Sequence, residues 1–255
     1  MSNPVKIWFE RDGTLLRLRL DRPKANIIDA EMIAALHKAL EEHLGNTGVN
    51  AVLLDASGPH FSFGASVEEH LPDNCTDMLK ALHGLVKSIL RCPVPFLVAI
   101  SGQCLGGGLE VAAAGQILIA KPDANLGQPE MMLGVFAPAA SCLLPERIGQ
   151  SSAENLLYSG RNISGEEALA IGLVDILAED PQAAALKYFD TYLADKSASS
   201  LRFSVRAARE NFVKRVSLRL DEVEQIYLEE LMSTRDAVEG LEAFIEKRPA
   251  IWENK

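Results

Sequence analysis

Residues 100–110 read Ile100-Ser101-Gly102-Gln103-Cys104-Leu105-Gly106-Gly107-Gly108-Leu109-Glu110, and residues 126–130 read Leu126-Gly127-Gln128-Pro129-Glu130. The run Val94-Pro95-Phe96-Leu97-Val98-Ala99-Ile100 just before the first stretch is short, apolar and begins at a proline, the pattern of a buried strand. Residues 109–114 then continue in good helix formers. Three glycines at a strand-to-helix junction let another backbone come close and leave amide N–H groups unshielded by Cβ. Those amides stand at the positive end of the helix dipole, which suits an oxygen on which negative charge develops. Glu110 falls in the first helical turn, near the same amides. No Lys-Ser or Lys-Thr follows, so the motif is not a P-loop. The glycines miss the dinucleotide spacing, and no Gly-x-Ser-x-Gly elbow is present.

A second acid, Glu130, follows the turn-forming Gly127-Gln128-Pro129 just past the strand-like residues 116–120. One carboxylate on a helix start and one on a loop could converge on a single water molecule. The plain alternative is glycines used for tight packing and two solvated acids in a chain that is rich in them.

Outward from this centre, residues 5–10 and 15–20 flank Asp12-Gly13 as a hairpin. In the second of these strands Leu16, Leu18 and Leu20 alternate with Arg17 and Arg19, which predicts one wet face. Asp29 is a plausible N-cap for a helix running to His43, with Met32, Ile33, Leu36 and Leu40 on its buried side. Residues 51–55 form a short buried strand, and 78–91 an amphipathic helix that Cys92-Pro93 stops. Strands alternating with helices argue for an α/β core. Past Pro181 the pattern is helical throughout, at 182–194, 200–213, 217–234 and 236–246. The expected division is a core over 1–195 and an α-helical C-terminal region over 196–255. Leu218, Val223, Ile226, Tyr227 and Leu231 form an apolar stripe there, read as a subunit interface with intramolecular core as the competitor.

Composition excludes several classes. A formal charge of −10 over 255 residues argues against wrapping nucleic acid or binding an anionic membrane surface. Four cysteines without a Cys-x-x-Cys pair and five histidines without zinc spacing point to reduced thiols, no metal site and a cytoplasmic setting. No signal peptide and no apolar run of membrane-spanning length is read.

Taken together, the anchors Phe63-Gly64-Ala65-Ser66, Gly106-Gly107-Gly108-Leu109-Glu110 and Gly127-Gln128-Pro129-Glu130 resemble the crotonase (enoyl-CoA hydratase/isomerase) superfamily in order and spacing. The likeness runs from Leu20-Asp21-Arg22-Pro23-Lys24-Ala25-Asn26 to Phe244-Ile245-Glu246-Lys247-Arg248-Pro249. Residues 58–70 and 136–147 look closest to the branch that hydrates a cyclic dienoyl-CoA in anaerobic degradation of aromatic compounds through benzoyl-CoA. The resemblance implies a ClpP/crotonase-like ββα superhelix with an α-helical C-terminal region, and subunits that form trimers pairing into hexamers. It implies an oxyanion hole from the backbone N–H groups of Ala65 and Gly107, with Glu110 and Glu130 as the catalytic acids. Which of the two is acid and which base is open. It also implies coenzyme A contacts at Arg22, Lys24, Ala25, Phe244, Lys247 and Arg248. No cofactor is implied, coenzyme A entering as part of the substrate.

Two departures from the family stand out. Ser66 occupies the place where members usually carry aspartate, and Phe136-Ala137-Pro138-Ala139-Ala140 replaces a glycine-rich turn beside the acyl group. The second favours a reshaped, ring-accepting pocket lined by Phe136, Ala137 and Pro138. A straight-chain enoyl-CoA hydratase is the near alternative, and a non-catalytic binding protein on this scaffold is the alternative of another class.

Overall fold

The computed structural model describes residues 3–255. The hairpin forms as read: β1 (Val5–Glu10) pairs antiparallel with β2 (Leu15–Leu20) across a turn in which Arg11, Asp12 and Gly13 have positive φ. Helix α1 (Ala30–His43) is capped by Asp29, whose carboxylate accepts the Met32 N–H at 2.9 Å. Then come β3 (Ala51–Ala56), α2 (Cys75–Leu90), β4 (Phe96–Ile100), β5 (Gln103–Leu105) and α3 (Gly107–Ala114). The chain continues through β6 (Ile117–Ala120), β7 (Asn125–Gly127), α4 (Pro138–Ile148), α5 (Gln150–Ser159) and β8 (Asn162–Ser164). It ends with α6 (Gly165–Ala170), β9 (Ile176–Leu177), α7 (Pro181–Tyr192), α8 (Ala198–Gln225) and α9 (Arg235–Ile245).

Six strands make one sheet in the order β1-β2-β3-β4-β6-β9, parallel throughout except for β1 against β2. A smaller sheet, β5-β7-β8, stands beside it. Side-chain alternation sorts the large sheet cleanly. Leu16, Leu18, Val52, Leu54, Phe96, Val98 and Leu118 face the main core with α1, α2 and α3. Leu15, Leu53, Leu97 and Ile119 face the opposite way, onto Ala185 and Phe189 of α7.

That second layer corrects the wet face expected for β2. Arg17 is only 3% exposed, lying under Trp8 and bonded to Glu10 (2.8 Å) and Asp55. Alternation looked like a solvated face because a buried arginine is written in sequence just as an exposed one is. Here β2 is an interior strand, and burial obliges its cation to be paired.

The C-terminal half departs from the sequence reading in one respect. Residues 200–213 and 217–234 are not two helices. Helix α8 runs unbroken to Gln225, passes into a π turn at Ile226–Glu230 and closes with a 3₁₀ turn at Leu231–Ser233. The apolar stripe divides in two. Val223 and Tyr227 join the main core, whereas Leu218 (65%) and Ile226 (37%) are exposed. All four cysteines are buried and unpaired, and burial pushes the Cys75 thiol up to about 11. Among the described residues no helix is long and apolar enough to cross a membrane.

Candidate active site

Helix α3 consists of glycine, alanine, leucine and valine apart from one residue, Glu110, and every position in it is buried. A helix that is apolar all round belongs in a core, so its single carboxylate needs a reason to be there. Glu110 is 3% exposed, and its Oε1 accepts the N–H of Ala140 at 2.8 Å, in the first turn of α4. The acid is therefore held by another helix's N-terminus. Pro138 begins that helix, where its missing N–H costs nothing.

The Ala65 and Gly107 backbones, paired by the family resemblance, come close together. Ser62 binds the 61–66 loop to β5 on both sides, its N–H donating to Gln103 O and its carbonyl accepting the Leu105 N–H. Asn26 secures the loop's base by donating to the carbonyls of Ser57 and His60, both at 3.0 Å. A methyl group built on Gly107 would lie 3.2 Å from the Ala65 nitrogen, which measures how closely the two backbones approach. Among the described residues neither the Ala65 nor the Gly107 N–H donates to another group of the chain. Two free donors side by side form a pocket for a carbonyl oxygen. With Ser66 in the aspartate position the loop is still anchored, through Asn26 and Ser62.

Glu130 lies in a 3₁₀ turn, Pro129–Leu133, after β7. Gly106, at φ +49°, sits directly beneath it, and a Cβ there would come within 2.7 Å of Glu130 Oε1. Turned with its nitrogen toward the acid, the Gln128 amide is 3.0 Å from both carboxylate oxygens. Desolvation, and then the nearby charge of Glu110, push Glu130 up to about 8. Desolvation also raises Glu110, while the Ala140 N–H pulls the other way. Burial thus raises both carboxyls; the Ala140 N–H opposes the rise at Glu110, whereas the charge of Glu110 adds to it at Glu130.

A stability consequence follows. Because the folded pKa of Glu130 lies above its ordinary 4.5, its contribution is fully present below that pH and is lost as pH rises toward about 8. Glu130→Gln removes the titration. The variant's thermal midpoint at pH 8–9 should exceed that of the unsubstituted protein by a few degrees, roughly 2–4 °C per kcal/mol, and the two should converge near pH 4. Differential scanning calorimetry across that range checks it, and equal midpoints at both ends would contradict it.

A cavity of about 440 Å³ gathers Ala65, Gly107, Glu110, Glu130, Phe136, Ala137, Pro138 and Phe244. The remaining coenzyme A candidates, Arg22, Lys24, Ala25, Lys247 and Arg248, lie outside its lining. Arg22 is tied to Asp29 at 2.5 Å and Arg248 to Glu239 at 2.5 Å, so their charge is already answered within the chain. Lys24 and Lys247 are exposed and form no ion pair among the described residues. The Ala25 carbonyl accepts the Phe63 N–H at 2.9 Å.

Sequence reading did not single out Gln128 or His70 for this cavity. His70 lines it, with Nδ1–H donating to Ser66 O at 2.7 Å. Adjacency to Glu130 was a signal for Gln128. Nothing local marks His70, which reaches the site through a short 3₁₀ turn, Glu68–His70.

Two buried acids and two unengaged amides line one cavity, and the chain belongs to the enoyl-CoA hydratase/isomerase family, whose profile matches residues 10–255. It is an enzyme of the hydratase type with the crotonase fold. It is 67% identical over 254 residues to the cyclohexa-1,5-dienecarbonyl-CoA hydratase of Thauera aromatica, covering 100% of this chain and 98% of that one. Among solved structures, an enoyl-CoA hydratase/isomerase from Pseudoalteromonas atlantica T6c superposes with a TM-score of 0.84 at 28% identity, over 98% of this chain and 99% of that one. An enoyl-CoA hydratase from Bacillus halodurans, at 22% identity, shares the fold with a TM-score of 0.87 over 94% of this chain and 99% of its own.

Proposed function

We propose that this protein adds water to cyclohexa-1,5-diene-1-carbonyl-CoA, giving 6-hydroxycyclohex-1-ene-1-carbonyl-CoA, within the anaerobic breakdown of aromatic acids by way of benzoyl-CoA. The observation that carries the reading is the 67% identity, end to end, with a hydratase of that name. The site geometry supports it. The Ala65 and Gly107 amides receive the thioester oxygen, and Glu110, whose carboxylate form the Ala140 N–H supports, takes a proton from water. The water oxygen bonds to the β-carbon, and the ring's π electrons move onto the thioester as a dienolate. Glu130 returns a proton to the far carbon of that dienolate, a net 1,4-addition. The Ala140 N–H donated to Glu110, and the charge of Glu110 acting on Glu130, push the two acids apart, as acid–base division of labour requires.

Since only a proton and a hydroxide are moved, the chemistry calls for no redox or electrophilic cofactor. Phe136 and Ala137, passing straight into α4, wall the acyl side of the cavity with apolar surface suited to a ring. Exposed Lys24 and Lys247 are the cations left to meet the coenzyme A phosphates. Self-association as a trimer or a pair of trimers is part of the proposal and has the exposed Leu218 and Ile226 in its favour. A cytoplasmic location is proposed from the four unpaired cysteines.

The test is a side-by-side assay with the dienoyl thioester and crotonyl-CoA, followed by ultraviolet absorbance. Preference for the dienoyl thioester by 10-fold or more in kcat/KM is the expected result (~1.4 kcal/mol of discrimination per factor of ten). Preference for crotonyl-CoA would replace the ring assignment with a straight-chain one.

A further inference from the structure

Away from the acid pair, one group of arginines carries charge that nothing within the chain answers. Each arginine outside this group has a carboxylate oxygen within 3.4 Å. Arg91, Arg202, Arg206 and Arg209 have none among the described residues, and all four line a single cavity of about 500 Å³ between the end of α2 and the first half of α8.

Helix geometry builds the cluster. Arg202, Arg206 and Arg209 follow one another along α8 at spacings of four and three, and Arg91 closes the C-terminus of α2 beside them. Arg202 donates to the carbonyls of Leu44 and Asn46, and Arg209 to that of Ala114 at 3.3 Å. A carbonyl takes up a donor without cancelling its charge, and the Nε atoms of both side chains are buried with no acceptor among the described residues. Burial, and then the neighbouring Arg147, bring Arg209 down to about 10. The one acid at the cavity, Glu210, is taken by Lys214 at 2.9 Å. In a chain of formal charge −10, four like charges gathered around one cavity fit an anion.

The walls narrow the choice of anion. Leu90, Pro93 and Val213 are apolar, so a bare inorganic ion would leave that surface unused. Phe203, also in the lining, is 67% exposed, and the Arg206 guanidinium lies 5.9 Å from its ring centroid. Its face is free to stack a flat ring. Guanidinium forks match pairs of phosphate oxygens.

We propose that this cavity binds a nucleoside diphosphate, with the phosphates on the arginines and the base against Phe203. The site stands apart from the chemistry of the acid pair, since the two cavities share no lining residue. Arg209 reaches the last residue of α3, Ala114, whereas the amide offered to the thioester belongs to its first, Gly107.

The test is calorimetric titration of the whole protein with ADP, and separately with pyrophosphate and with adenosine. The expected result is saturable binding of ADP, weaker for either fragment and weakened about 10-fold or more by Arg206→Ala. The Arg206 guanidinium forms no hydrogen bond among the described residues, so its truncation leaves the fold intact, and turnover and assembly mass should not change. No saturable binding of ADP overturns the proposal, as does pyrophosphate binding as tightly as ADP, since Phe203 would then stack nothing. ADP binding that survives Arg206→Ala and is lost in Lys24→Ala/Lys247→Ala overturns it too, by placing the nucleotide at the coenzyme A site. A lower assembly mass in Arg206→Ala would assign the arginines to a contact between subunits, with the same consequence.

Discussion

Replacing Glu110 or Glu130 by glutamine lowers hydration by about 10²- to 10⁴-fold in each case, with acyl-CoA binding retained. Glutamine keeps the shape of the acid and, at position 110, an oxygen to accept the Ala140 N–H, so the joint between α3 and α4 survives. What each variant loses is a proton acceptor or donor at a fixed place. In the proposed reaction the two acids act on one hydration event, so their effects should not add. The double variant should be little slower than the worse single one. Steady-state rates measure the first effect and titration with a saturated acyl-CoA the second. Near-normal turnover in either single variant would remove that residue from the mechanism.

Gly107→Ala is expected to cost about 10²- to 10³-fold in kcat, the loss typical of one oxyanion donor. The added methyl group would lie 3.0 Å from Ala65 Cβ and 3.2 Å from the Ala65 nitrogen, so it wedges apart the two amides that must point at one oxygen. Gly84 provides the contrast. It too is helical, in α2, but a Cβ there meets nothing within 4 Å, and Gly84→Ala should leave turnover unchanged. Equal rates for the two variants would mean that the Ala65–Gly107 pair does not hold the thioester oxygen.

Much of this site could be read before any coordinates. The glycine triplet, Glu110 and the Gly127-Gln128-Pro129-Glu130 turn lie within thirty residues of one another; helix-terminus physics suits the glycine amides to an anion, and the family resemblance supplied the roles of the two acids. What was not legible depends on partners far along the chain. The hydrogen bond from Ala140 to Glu110 joins α4 to α3 and distinguishes the two acids electrostatically, yet neither residue announces it. Arg17 read as solvated because the groups that bury it, Trp8, Glu10 and Asp55, converge only once β1, β2 and β3 are paired. Helix α8 read as two helices because its first half carries few buried residues, and the stripe resumes only at Val216, Leu220 and Val223. Pairing of distant elements decides each of these cases, and a local pattern carries no record of it.

The account turns on water being added across a conjugated thioester by two acids facing two amides. Its most direct measurement is the mass of the product formed from cyclohexa-1,5-diene-1-carbonyl-CoA in oxygen-18 water. The account predicts a single product heavier by one molecule of labelled water, formed by the unsubstituted enzyme and nearly absent with Glu110→Gln. Recovery of unlabelled thioester, of a mere double-bond isomer, or of equal label incorporation with the Gln variant would contradict it.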